Sequence, residues 1–130
     1  GAGTGQSAVT TVNTGASTAG TSAPRIVYFD FDSYTIKDEY RGLIETNARA
    51  LAGAKAKRIT IEGHTDERGG REYNLALGQK RAETVARAMA LLGVSADQVE
   101  AVSFGKERPA AQGSDEAAWA KNRRAEIKDK

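Results

Sequence analysis

The run EGHTDERGGREYNLALGQKRA, residues 62–82, gathers the side chains best suited to chemistry. It holds the single histidine of the chain, His64, with Asp66 two residues on and Arg81 fifteen residues after that. An imidazole, a carboxylate and a more distant guanidinium suit three uses: a catalytic site, a structural ion pair, or a clamp for a ligand carrying both charges. A hydrolase would need His64 as base, Asp66 as its orienter, and Ser33 or Ser103 as nucleophile. Neither serine sits in a nucleophile-elbow pattern, which argues against that use. A metal site from His64, Asp66 and Glu67 is weaker still, because one histidine without repeat spacing is a poor donor set. His64 then reads as a hydrogen-bonding loop residue that holds the shape of the site.

Asn74 and Arg81 share a face if the residues between them are helical, since seven steps come close to two full turns. Asp66 falls where a strand ends and a loop begins. Strand end, loop and helix face can converge on one cleft. There a guanidinium would grip a carboxylate through two parallel hydrogen bonds, and Asp66 would accept from an ammonium. The commoner use of such residues is an ion pair with each other, which contributes only ~0–1 kcal/mol at a surface. Spacing alone leaves both uses open. A second point is FDFDS, residues 29–33. Asp30 suits a turn built by its own side chain, and the N–H groups of Asp32, Ser33 and Tyr34, turned outward, would make an anion-binding nest. Arg123 and Arg124 alternate on a strand, so one would be a solvated edge charge and the other would add positive potential near a ligand carboxylate.

Four strands and two long helices must position these residues. RIVYFDF (25–31) is β-branched and aromatic, with Val27 and Phe29 on one face. A helix near Ile36 would be capped by Thr35, with Asp38 as capping-box partner. Ile36, Tyr40, Leu43, Ile44 and Leu51 follow helical spacing, and Gly53 is placed to close that helix in a left-handed cap. KRITIEG (57–63) is a second strand with Ile59 and Ile61 inward. The helix from Arg71 to Leu92 carries a seam of Leu75, Gly78, Ala82, Val85, Met89 and Leu92, and Gly93 ends it. VEAVSFG (99–105) is a third strand, EAAWAKN a short helix, and RRAEIK (123–128) a fourth strand with Ala125 and Ile127 inward. Two amphipathic helices cannot cover each other and leave four half-apolar strands bare. The expected fold is therefore α+β, a βαβαβ(α)β order with two helices packed on one face of a mixed four-stranded sheet.

Composition narrows the function classes. Residues 1–24 are almost wholly Gly, Ala, Ser and Thr, without a charged or aromatic side chain, and read as a flexible tether. Residues 25–130 hold all the charge and form one domain. Nineteen basic against seventeen acidic residues give a net charge of +2, too small and too interleaved to imply nucleic acid. With no cysteine, a disulfide framework and a thiolate metal site are excluded. No run approaches the ~18 apolar residues of a membrane span.

GHTDERGGREYNLALGQKRAETV (63–85), preceded by VYFDFDS (27–33) and followed by VSFGKERP (102–109) and NRRAEI (122–127), resembles the OmpA-like C-terminal domain. DERG, YNLALGQKRA, GVSADQV and GSDEAAWAKNRRAE are similar to its peptidoglycan-associated lipoprotein branch in particular. The resemblance covers roughly residues 25–128. It implies non-covalent peptidoglycan binding without enzymatic activity, cofactor or metal, centred on the diaminopimelate of the stem peptide. Asp66 would meet the ammonium and Arg81 the carboxylate. Asn74 and Thr65 would line the site, Leu77 would be its apolar wall, backbone amides near Phe31 and Asp32 would reach the stem carboxylate, and Arg123 would lie on the ligand side or rim. Replacing Asp66 or Arg81 by alanine would then abolish wall binding and leave the fold intact.

Further implications are a TolB-like periplasmic partner at the same mouth, and a place on the periplasmic face of the Gram-negative outer membrane within the Tol-Pal system. Branch members are held there by a lipidated cysteine, which this chain lacks, so the anchor is expected outside it. An outer-membrane barrel or a flagellar stator protein is the alternative parent of such a domain. Ile127 is followed by KDK where the family has an apolar or aromatic pair, so the last strand is expected to be short.

Overall fold

The structure, a computed structural model, describes residues 24–130. The tether expected over residues 1–24 lies outside these but for Pro24. Strand β1 spans Ile26–Tyr28, helix α1 Arg41–Ala52, strand β2 Ile59–His64 and helix α2 Arg71–Leu91. Strand β3 follows at Val99–Gly105, helix α3 at Glu116–Asn122 and strand β4 at Arg124–Asp129. The sheet order is β1-β4-β2-β3. β4, the last strand in the chain, is inserted between β1 and β2 and runs antiparallel to both, whereas β2 and β3 are parallel. The expected α+β architecture, with helices packed on a mixed four-stranded sheet, is the one observed.

Period-two alternation sets the inner face of the sheet. Val27, Phe29, Ile59, Ile61, Ala125 and Ile127 are all buried, and Ile44, Ala48 and Leu51 of α1 meet Ala82, Val85 and Met89 of α2 over them. The α2 seam is shorter than its spacing predicts. Leu75 is only half-buried and Leu92, beyond the helix, is exposed. Gly93 does end the helix in the left-handed region, with φ of +100°.

Both ends of α1 differ from expectation. The α-helix begins at Arg41 behind a 3-10 turn over Asp38–Tyr40, and no side chain caps either. Thr35 instead gives its backbone N–H to the Ser33 hydroxyl. Ile36 packs on the core from an irregular segment. At the other end Gly53 is right-handed, with φ of −84°. Buried Gln98 replaces the left-handed cap: its amide donates to the carbonyls of Leu51, Ala54 and Lys57 from across the fold. β4 also runs on to Asp129, where it pairs with Ile59, so the last strand is not short.

α2 lies so close to β2 that no side chain fits between them at one crossing. A Cβ on Gly63 would sit 1.7 Å from the carbonyl oxygen of Gly78, and one on Gly78 would sit 2.3 Å from the Ser103 hydroxyl. The first clash is with backbone; the second is with a movable side chain at its closest point, and with the Gly63 carbonyl oxygen only at 2.9 Å. We therefore expect Gly63→Ala to lower unfolding free energy by about 3 kcal/mol, with a smaller loss for Gly78→Ala, both read by urea denaturation.

Candidate functional site

Strands β1 and β2 run the same way, since each is antiparallel to β4. Their carboxyl ends bring the segments 29–34 and 64–70 together at one edge of the sheet. α2 starts from the second of these segments and returns along the sheet, so residues 74, 77 and 81 pass over the same place. A small cavity of about 120 Å³ opens there. Phe31, Asp32 and Thr65 wall one part of it, and Asp66, Arg68 and Gly69 another. Tyr73, Asn74, Leu77 and Arg81 line the helix side. Of the eight residues singled out in sequence, seven thus line one cavity. Arg123 lies behind it, buried, donating to the carbonyl of Phe29 at 2.9 Å and to Glu116 at 2.9 Å.

Arg81 has no exposed surface. Its guanidinium donates to three backbone carbonyls: Nε to Ser33 at 2.8 Å, Nη1 to His64 at 2.9 Å and Nη2 to Asp30 at 3.1 Å. Five N–H donors facing three acceptors leave two for another acceptor. Burial pushes its pKa down to about 10, which keeps it a cation at neutral pH. Among the described residues no Asp66–Arg81 ion pair forms, so the ordinary use of the two residues is not the one adopted.

Asp66 is also buried and takes other partners. Its carboxylate accepts from the backbone N–H of Arg68 at 3.0 Å and from the Arg68 side chain at 2.7 and 3.3 Å, with Arg123 at 3.6 Å. Burial pushes the Asp66 pKa up, but the Arg68 bonds and the charges of Arg68 and Arg123 outweigh this and hold it below the usual value. Asn74 donates to the carbonyl of Arg68 at 2.8 Å and pins the loop. The Thr65 hydroxyl donates to the Asp66 carbonyl. Asp32 stands in the left-handed region, with φ of 56°, and its carboxylate accepts from the Tyr73 hydroxyl.

Several sequence expectations need correction. His64 ends β2 and is not in a loop. Its buried ring stacks on Phe104 with Nε2 3.4 Å from Glu62, while Nδ1 has no partner. The hydroxyls of Ser33 and Ser103 accept from the backbone N–H groups of Thr35 and Gly105. The Asp30 side chain pairs with Lys37 at 2.8 Å, and its turn is closed by backbone, Ser33 N–H to Asp30 carbonyl. That bond removes Ser33 from the expected anion nest. Neither tandem arginine is a solvated edge charge, because Arg124 is buried against Glu126 and the carbonyls of Asn122 and Arg108. Sequence reasoning missed Arg68, Tyr73 and Trp119. Arg68 lies over both the Phe31 ring at 4.0 Å and the Trp119 ring at 3.9 Å.

A larger groove of about 360 Å³ between α1 and α2 is lined by Ile36, Ile44 and Leu91, with Arg41, Glu45 and Arg87 as surface side chains at its edge. No buried charge converges on it, so the smaller cavity is the place where chemistry collects.

Fold and cavity together define a small α+β domain that gathers buried opposite charges where two strands end beneath a helix. The chain belongs to the OmpA family, whose pattern matches residues 28–123. It is 52% identical over 101 residues to a peptidoglycan-associated lipoprotein of Pseudomonas aeruginosa, covering 78% of this chain and 60% of that protein. The crystal structure of the peptidoglycan-associated lipoprotein from Burkholderia pseudomallei superposes with a TM-score of 0.82 at 57% identity, over 83% of this chain and 92% of that one. The C-terminal domain of Helicobacter pylori MotB superposes with a TM-score of 0.73 at 25% identity, over 80% and 81%. The chain spans about three-fifths of the length of the first of these relatives.

Two outcomes follow from this geometry. Arg81→Met leaves the buried His64 carbonyl and the part-buried Ser33 carbonyl without the guanidinium, while the Asp30 carbonyl keeps the Ser33 N–H. At about 1 kcal/mol or more for each stranded group, chemical denaturation should show a loss of at least ~2 kcal/mol. This replaces the expectation that Arg81→Ala leaves the fold intact. For His64, burial lowers the pKa below the ordinary 6.5, the Arg124 charge adds to this, and Glu62 opposes it. The unfolded chain then protonates before the folded one, so stability present above that ordinary value is lost as pH falls towards the depressed folded value. In His64→Gln, thermal midpoints against pH should lose this descent and keep only the carboxylate-driven fall below pH ~4.

Proposed function

We propose that the domain binds peptidoglycan non-covalently, by holding the aminocarboxylate end of diaminopimelate in the stem peptide, and that it cleaves nothing. The observation that carries this is the separation of Asp66 and Arg81. Two buried opposite charges line one small cavity, yet each is held by other groups and not by the other, so the two poles do not cancel and together match a zwitterion. Asp66 would accept from the ammonium, and the two remaining N–H groups of Arg81 would donate to the carboxylate. Thr65, Asn74 and Leu77 would shape the walls, with the backbone near Phe31 and Asp32 towards the stem carboxylate. Arg123 would act from behind, by fixing Asp66.

In the cell the domain would tie the outer membrane to the wall within the Tol-Pal system. It would sit on the periplasmic face, held through lipid on a cysteine absent from this sequence, with a TolB-like protein docking over the same mouth. Residues 1–24 would serve as tether, with an r.m.s. reach of roughly 25–30 Å. Names of the relatives above support this parentage over a barrel or a stator protein, since the MotB likeness is the more distant one.

Asp66→Asn should abolish co-sedimentation with sacculi while the circular dichroism spectrum stays native, and purified peptidoglycan incubated with the domain should release no muropeptides. A stem peptide with lysine in place of diaminopimelate keeps the ammonium and loses the carboxylate. Its affinity, by chemical-shift titration, should fall about 10- to 100-fold, the worth of one charge-assisted hydrogen-bond pair. Equal affinity for the two peptides would rule out the two-pole clamp.

A further inference from the structure

We propose that Arg68 is an internal stand-in for the ligand cation, so that an ammonium enters the Asp66 pocket only by displacing the Arg68 side chain. This rests on the ligand reading above and adds a competitor within the chain. The Asp66 carboxylate has about four acceptor positions. Arg68 takes most of them: its Nη2 is 2.7 Å from Oδ2 and its Nε 3.3 Å from Oδ1, with its backbone N–H 3.0 Å from Oδ1. An arriving ammonium finds the outward edge of the carboxylate already in use. Only the side-chain bonds must break. The backbone N–H of Arg68 and the Arg123 guanidinium, 3.6 Å from Oδ2, would still hold the carboxylate in place.

The displaced group is built to be held weakly. The Arg68 side chain is one-third exposed and rests between the faces of Phe31 and Trp119, at 4.0 and 3.9 Å. Phe31 is itself 58% exposed, so one wall of this bracket is loose. Arg68 also stands on a loop that continues through Gly69, with φ of +94°, and Gly70 into α2. With Arg68 folded in, the cavity is about 120 Å³, well under the usual ~300–1,000 Å³ of small-molecule sites. Its withdrawal enlarges the cavity on the side where Asp66 lies. The same competition sets a specificity: neutral or weakly basic ligands lack the charge needed to take the place of a stacked guanidinium.

Trp119 is the only tryptophan in the chain, so its emission reports on this bracket. Titration with a diaminopimelate stem peptide should shift wild-type emission as the guanidinium leaves the indole face. Arg68→Ala should bind the same peptide about five- to 100-fold more tightly, the scale of two cation–π contacts and a part-buried ion pair. Its emission should change little on binding. Arg68→Lys, which keeps charge but not the flat double contact, should fall between the two and decides the matter if the alanine variant does not fold. Wild-type binding with equal or weaker binding by folded variants would overturn the displacement and leave the ligand reading standing. No binding by wild type or variants would overturn the ligand reading, and the displacement with it. Binding by the variants alone would support both.

Discussion

The buried guanidinium of Arg81 is the interaction on which the site depends. It joins three carbonyls: His64 at the end of β2, and Asp30 and Ser33 in the segment between β1 and α1. Of these, the Asp30 carbonyl has one other partner, the Ser33 N–H. A cation buried without partners would carry a large desolvation cost, and unpaired carbonyls a smaller one. Here each group satisfies the other, and the surplus donors of the cation remain for a further acceptor. One side chain thus closes the edge of the fold and furnishes a pole of the cavity.

Asp66 is held by the same logic with the charges reversed. Arg123 reaches it from the junction of α3 and β4, and Arg68 from its own loop. A carboxylate kept ionised by cations on both sides accepts hydrogen bonds strongly, and because one of those cations is tethered by a short glycine-bearing loop, its outward edge is the part open to exchange. Placing Arg81 and Asp66 in separate networks keeps them from cancelling each other. That arrangement differs from a plain ion pair, although the two use the same residue types.

The sheet was legible because its signal is local and periodic. Val27 with Phe29, Ile59 with Ile61, and Ala125 with Ile127 each face the core, as alternation requires. The face shared by Asn74 and Arg81 was equally legible, since helical geometry fixes it. What failed was local in reasoning but distant in cause. Thr35 and Asp38 look like a cap, yet Ile36 is drawn to the core and delays the helix. Gly53 looks like a left-handed stop, yet Gln98, 47 positions from Leu51, takes the terminal carbonyls. Arg124 alternates outward, yet the segment leading into β4 folds over it. Arg68 was unreadable because a residue two places from Asp66 turns back on it only in a loop whose path the sequence does not encode in any repeat.

β1 is a three-residue edge strand, yet it joins Arg25 at one end of the sheet to the cavity-lining turn at the other. Its ladder with β4 is extended by two further bonds, from Ile127 to the Arg25 carbonyl and from Phe29 to the Arg123 carbonyl. A pull applied between residue 25 and the cavity runs along the strand axis, so every rung shares the load in shear and none is peeled open singly. Short as it is, the edge strand is oriented to resist traction in the one direction where a molecule gripped at both ends would feel it.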